Sequence, residues 1–275
     1  MEGKLNMFKY FFMFCFFIFS FNAFSGSQKD YDNLINTNLC SECDFSEMNL
    51  SKLNLQHSQV SNSNFDNGVL TKSYFQRANL ANSSFNKVIL INANFEAANL
   101  NNSIFTNSKG PAVNFTGAKF KNANFVNSDF RGAKMQVVEL TNANIVNTNL
   151  KSADLTGANL TKSNFKNSDL ENVDFAGATL NGVIFEDTNL KNVNFKGTNL
   201  NGVIFKNSII FGAEFIFSDI SNANFNEISI RGAVFEDIIV CGKKFKETIK
   251  VKSFLEEIVS ENEDDKTSLL KSLSC

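Results

Sequence analysis

The chain has 275 residues, enough for one large domain or two ordinary ones, and it carries 31 Phe, one Pro and no Trp. Its formal net charge is -2, from 26 basic and 28 acidic residues, which removes the electrostatic reason to expect nucleic acid as a partner. Asparagine is abundant, and it fills helix and strand interiors poorly but suits turns, so this composition asks for many buried apolar points joined by many corners.

The first segment, 1–25, differs in character from the rest. Lys4 and Lys9 precede an apolar run over 10–21, and Ala23 and Ser25 offer small residues at the positions preceding a cut. This is the pattern of a secretory signal peptide, with an apolar core too short for the ~20 residues that span a bilayer. The expected outcome is export to the periplasm or the medium (a secreted or periplasmic protein), with no stable membrane span after cleavage. An uncleaved membrane anchor is the competing reading. Residues 26–44 follow as an N-terminal cap.

From 45 to 245 every fifth residue is large and apolar, beginning Phe45, Leu50, Leu55, Val60, Phe65, with Gly110 the one exception. Neither the helical period of 3.6 nor the strand period of 2 makes this pattern, and fixed self-similarity over such a length marks a solenoid. The residue two before each centre is small, as at Ala78, Ser83 and Ala93, and the residue two after is commonly Asn or Gly, as at Asn82, Asn92 and Gly117. Each five-residue unit therefore reads as a short extended step ending in a corner, with one large and one small side chain turned inward. Phe alternates with Leu, and "NGVIF" at 181–185 returns at 201–205. Two sides cannot enclose a core and four can, so one coil takes twenty residues. Gly110 leaves a gap in its column, and Phe130 in that same column is expected to fill it. Residues 246–275 close the chain as a C-terminal cap, in which "VKSFLEEIVSE" reads as a short amphipathic helix.

The segments "ANLAN" (78–82), "AANL" (97–100), "NANF" (122–125), "SADLTGANLTKSNF" (152–165) and the opening "CSECDFSEMNLSKLNL" resemble the pentapeptide repeat proteins, whose consensus is A(D/N)LXX. The resemblance covers about 40–245 and implies an all-β fold, a right-handed quadrilateral β-helix of about ten coils, here with a short C-terminal helix. The best-known members shield DNA gyrase by imitating DNA with an acidic surface; the near-neutral charge and the signal segment depart from them.

No catalytic constellation is visible, so no enzyme activity, no cofactor and no metal are expected. His57, the single histidine, falls on a solvent-facing corner and cannot make a triad or a His-based zinc site. Asp154, Asp169 and Asp174 occupy the consensus acidic position rather than forming paired catalytic carboxylates. Cys40 and Cys43 form a Cys-x-x-Cys that reads as a capping turn. With the length of the rod between them, neither can bridge to Cys241; bridges within a chain are limited to Cys40–Cys43 and Cys241–Cys275 unless the tail returns along the whole rod. Ile184, Ile204, Ile209, Phe211, Ile216 and Phe217 occupy outward positions near one another in sequence and suggest a contact surface, covered by the chain's own C-terminal segment or by a partner. The functional expectation is an exported scaffold or protein-binding module whose partner is another protein or a second copy forming a homodimer. The alternative is a nucleic-acid-mimicking inhibitor of a DNA-binding enzyme such as gyrase.

Overall fold

The structure, a computed structural model, describes residues 26–225, 228–245 and 275. The expected signal segment, 1–25, and the expected C-terminal helix lie outside the described residues.

The fold is a parallel β-helix. Bridges join the residue before each centre to the one twenty positions later, from Leu39↔Gln59 through Asn99↔Lys119 to Asp219↔Ile239, in parallel register. Four units thus make one coil. Side 1 holds the centres 45, 65, 85 and onward; sides 2, 3 and 4 hold those beginning at 50, 55 and 60. The ladder opens at Leu39, one unit ahead of the expected boundary at 45, because Cys40 occupies an inward centre. Regular strands are few and lie near the C-terminal end: β1 (Glu214–Ile216) pairs in parallel with β2 (Val234–Glu236), while β3 (Ile238–Val240) turns antiparallel onto β4 (Lys243–Phe245).

The backbone donors of a unit follow a fixed pattern of acceptors. In the unit 64–68, Phe65 N–H donates forward to Ser84 O at 2.7 Å, Asn67 N–H to Asn86 O at 2.9 Å, and Asn64 N–H back to Cys43 O at 2.9 Å. Gly68 N–H closes the corner onto Phe65 O at 3.0 Å. Asp66 N–H has no main-chain acceptor, and Asn64 Oδ1 takes it at 3.0 Å. A buried donor left unpaired is costly, which explains the Asn or Asp before so many centres. The second asparagine position has a different cause. The residue two after each centre is left-handed, as at Asn62 (φ 58°), Asn82 (φ 61°) and Asn102 (φ 58°), a conformation Asn and Gly tolerate best. Along the corner between sides 4 and 1 the amides also bond to one another, Asn82 Nδ2 to Asn62 Oδ1 at 3.0 Å and Asn102 Nδ2 to Asn82 Oδ1 at 2.9 Å.

The core follows from the coil spacing. Phe65 and Phe85 stack at 4.8 Å with a 2° angle between rings, Phe85 and Phe105 at 4.6 Å with 3°. Side 1 meets side 3 edge to face, as in Phe65–Phe75 at 6.1 Å and 89°, the geometry that ring quadrupoles favour. Gly110 lies on its column, and Phe130 is buried beneath it; a Cβ at Gly110 would stand 2.8 Å from Phe130 Cε1. The inward small residues are also polar anchors. Ser108, Ser128, Thr148, Ser168 and Thr188 donate to main-chain carbonyls of earlier coils, for example Ser128 Oγ to Phe105 O at 2.5 Å.

Helix α1 (Gln28–Thr37) plugs the first coil. Ser27 caps it, Oγ accepting from Asp30 N–H at 3.2 Å, and Asn38 ends it in the left-handed region. Leu34 is fully buried against the open end of the core. Asp44 N–H, which has no preceding coil to bond, donates to Asp30 Oδ2 at 3.0 Å. The terminal coil edge is covered in this way rather than left to pair with another chain.

Candidate functional site

The outward apolar residues fall on the last described coils, but the twenty-residue register separates them. Ile184 and Ile204 are ladder neighbours on side 1. Ile209 is one corner further, on side 2, and is 49% exposed; Phe211, 58% exposed, sits on the corner between sides 2 and 3. The Phe211 ring lies on the backbone of the next coil, where a Cβ at Gly232 would come within 2.6 Å of it. Ile216 and Phe217 follow side 3, so they face a different direction from Ile204. The register thus places Ile204, Ile209 and Phe211 on adjoining surfaces, with Ile216 and Phe217 one side further round the rod.

Beside Ile209 runs an open groove of about 310 Å³ on the corner between sides 1 and 2, lined by Asn167, Asp169, Asp187, Asn189 and Asn207 with Ser168 and Thr188 at its floor. Charges of both signs alternate along its borders. Lys151 Nζ is 2.7 Å from Glu171 and 3.7 Å from Asp169; Lys166 Nζ is 3.1 Å from Glu186 and 3.8 Å from Asp187. The hydrogen bond from Lys151 holds the Glu171 carboxyl below its ordinary range, and the charge of Lys191 adds to this. The same bond, with the charge of Asp169, raises Lys151. Asp129 raises Arg131 likewise, by hydrogen bond and charge. Asp169, Glu171, Glu186 and Asp187 are engaged with cations one coil away, an arrangement that joins coils, whereas Asp129 and Arg131 pair within one corner.

The other singled-out residues have structural places. His57 is an exposed corner residue at φ 60°. Asp154, Asp169 and Asp174 accept the turn N–H groups of Thr156, Glu171 and Ala176 at 3.0, 3.1 and 2.8 Å. Cys40 is joined to Cys43 and Cys241 to Cys275, with Cα separations of 5.7 and 5.4 Å. Cys275 N–H also donates to Asn222 Oδ1 at 2.7 Å, so the chain's last residue sits at the final corner. Sequence reasoning missed Asp30. Its carboxylate lies beside Cys40 and Cys43, a proximity that depends on how α1 docks and that no spacing rule reveals. Among the described residues, no helix is long and apolar enough to cross a membrane.

Twenty-residue coils with Asn or Asp before many of the buried centres define a pentapeptide-type solenoid. Family models agree: the pentapeptide repeat region matches 78–159 and 158–235, and the eight-copy pentapeptide repeats match 33–67. The chain belongs to the pentapeptide repeat family. Similar solved structures include HetL, a pentapeptide repeat protein involved in heterocyst differentiation regulation from the cyanobacterium Nostoc, at 17% identity over 76% of this chain and 97% of that one, with a TM-score of 0.47. Full-length QnrB1, a plasmid-mediated fluoroquinolone resistance protein, is 16% identical over 78% and 99%, with a TM-score of 0.36. A pentapeptide repeat protein of the Arabidopsis thaliana thylakoid lumen is 19% identical over 52% and 69%, with a TM-score of 0.21. No curated protein matches the chain.

Proposed function

We propose that the protein is an exported, non-enzymatic β-helical scaffold whose last coils bind a partner protein, a second copy of itself included. The observation that carries this reading is the exposed group Ile204, Ile209 and Phe211 on adjoining surfaces, bordered by paired charges. An apolar group with a polar rim is the usual make-up of a protein contact. The gyrase-inhibitor alternative requires an unpaired acidic stripe. Glu171, Asp169, Glu186 and Asp187 instead meet Lys151 and Lys166, which speaks for the scaffold.

A photo-crosslinking residue placed at 209 or 211 is expected to capture one defined partner in cells. The same residue at 104, where Ile104 is 42% exposed on a distant coil, is the control. Equal capture at all three positions overturns the site. Export is tested separately by mass spectrometry of the native protein. An N-terminus near Gly26 supports it, and a cytosolic chain starting at Met1 sinks it and reopens the gyrase reading.

A further inference from the structure

Two buried cysteines, joined as a disulfide, stand where the repeat does not call for them. Cys43 takes the inward small position held by Ser63, Ser83 and Ser103 in the following coils, and Cys40 the centre held by Val60, Leu80 and Leu100. Helix α1 sets Asp30 against this pair. One carboxylate oxygen and both Sγ atoms lie within 4.8 Å of one another. The surroundings resemble an outer shell around ligands. Asn33 Nδ2 points at Cys40 Sγ from 3.5 Å, and Asp44 N–H holds one Asp30 oxygen at 3.0 Å, which fixes the carboxylate while leaving acceptor capacity on it. Capping the first coil explains the Asp44 contact. The disulfide explains why the two sulfurs meet, but neither it nor the cap explains why the Asp30 carboxylate lies against them.

We propose that, when the Cys40–Cys43 bond is reduced, Cys40, Cys43 and Asp30 form a three-ligand site for a thiophilic divalent cation of the zinc type, with water in the fourth position. Two sulfurs and one oxygen select such a cation over calcium or magnesium. The chemistry balances simply. A thiol or phosphine reductant gives two electrons to the S–S bond, two protons complete the thiols, and cation binding releases those protons as the thiolates form. Disulfide and metal are then alternative closures of the same N-terminal cap, each tying α1 to the first coil. This inference is independent of the partner-binding reading and concerns the reduced chain, the state of a reducing compartment and not of the oxidising one that export would supply.

The test uses the full chain carrying Cys15→Ser, Cys241→Ser and Cys275→Ser, so that one thiol pair remains. The reduced protein, under a phosphine and without oxygen, is titrated with cobalt(II) as an optical probe. The expected result is one equivalent bound, with thiolate-to-cobalt charge-transfer absorption that zinc abolishes, and no binding by the oxidised protein. Asp30→Asn should weaken binding at least ~tenfold while the thiolate absorption persists at saturation. Because that variant could unseat α1, Cys40→Ser is the second variant, and it should lose the absorption altogether. Equal binding by oxidised and reduced protein, or unchanged affinity in Asp30→Asn, overturns the site.

Discussion

Two regions of the rod share one backbone and differ inside. From Phe45 to Phe130 and again from Phe165 to Phe235 the core is a stack of rings, with spacings such as 4.6 Å between Phe215 and Phe235. Between them the centres are Met135, Leu140, Ile145, Leu150, Leu155 and Leu160. Among the described residues no ring pair crosses this aliphatic belt, and a cavity of about 10 Å³ lies among Phe125, Phe130, Met135, Leu140, Ile145, Thr148 and Leu150. The hydrogen-bond ladder crosses without a break, Met135 N–H to Asp154 O at 2.7 Å and Ile145 N–H to Asn164 O at 2.7 Å. Coil geometry therefore does not depend on aromatic content, whereas packing between coils does. In a stack where each coil touches only its neighbours, the belt lacks the ring contacts that join the coils on either side of it.

The largest expected effect lies in the stack. Phe105 contacts Phe85, Phe115, Phe120, Phe125 and Phe130, and Phe105→Ala should cost ~3–5 kcal/mol in urea unfolding. Met135→Ala in the belt should cost ~2–3 kcal/mol, because it removes fewer atoms than Phe→Ala and breaks no ring stack. If the belt variant loses as much, the comparison fails.

At the edge between the two regions, Gly110→Leu restores the repeat on paper yet drives a side chain into Phe130. It should destabilise by ~1–3 kcal/mol, and the double variant with Phe130→Leu should recover most of that. Additive losses in the double-mutant cycle would mean the two positions do not share the space.

Val137, within the belt, is a β-branched residue held at φ 50° on an exposed corner. Val137→Asn should raise stability by ~1 kcal/mol, seen as a higher melting temperature. A neutral result would show that the corner's conformation costs little there.

The smallest effect belongs to the charges beside the groove. Glu171 has its carboxyl lowered by Lys151, so its contribution is present above the ordinary carboxylate range and is lost as pH falls through the folded value. Glu171→Gln should melt slightly below the parent at neutral pH and low salt. The gap should close in acid and in high salt, since both partners are exposed and screened. A gap that persists in high salt would mean that Glu171 acts through packing.

The sequence by itself determined the architecture. A five-residue period, Phe recurring at twenty, and small residues before each centre leave a four-sided coil as the way to bury them, and Gly110 with Phe130 could be paired on that basis alone. Asn was legible as a corner residue, but only the structure separated its two roles. One Asn accepts the N–H that no main-chain carbonyl takes, and the other tolerates a left-handed backbone; both depend on where the ladder runs. Tertiary structure also decided which outward residues meet. Ile204, Ile209, Phe211 and Phe217 fall on successive faces, because each corner rotates the chain by a quarter turn and sequence proximity does not record direction. The same holds for Asp30. Its place beside Cys40 and Cys43 arises from the docking of a helix that carries no repeat, on the one end of the rod where no preceding coil supplies a partner.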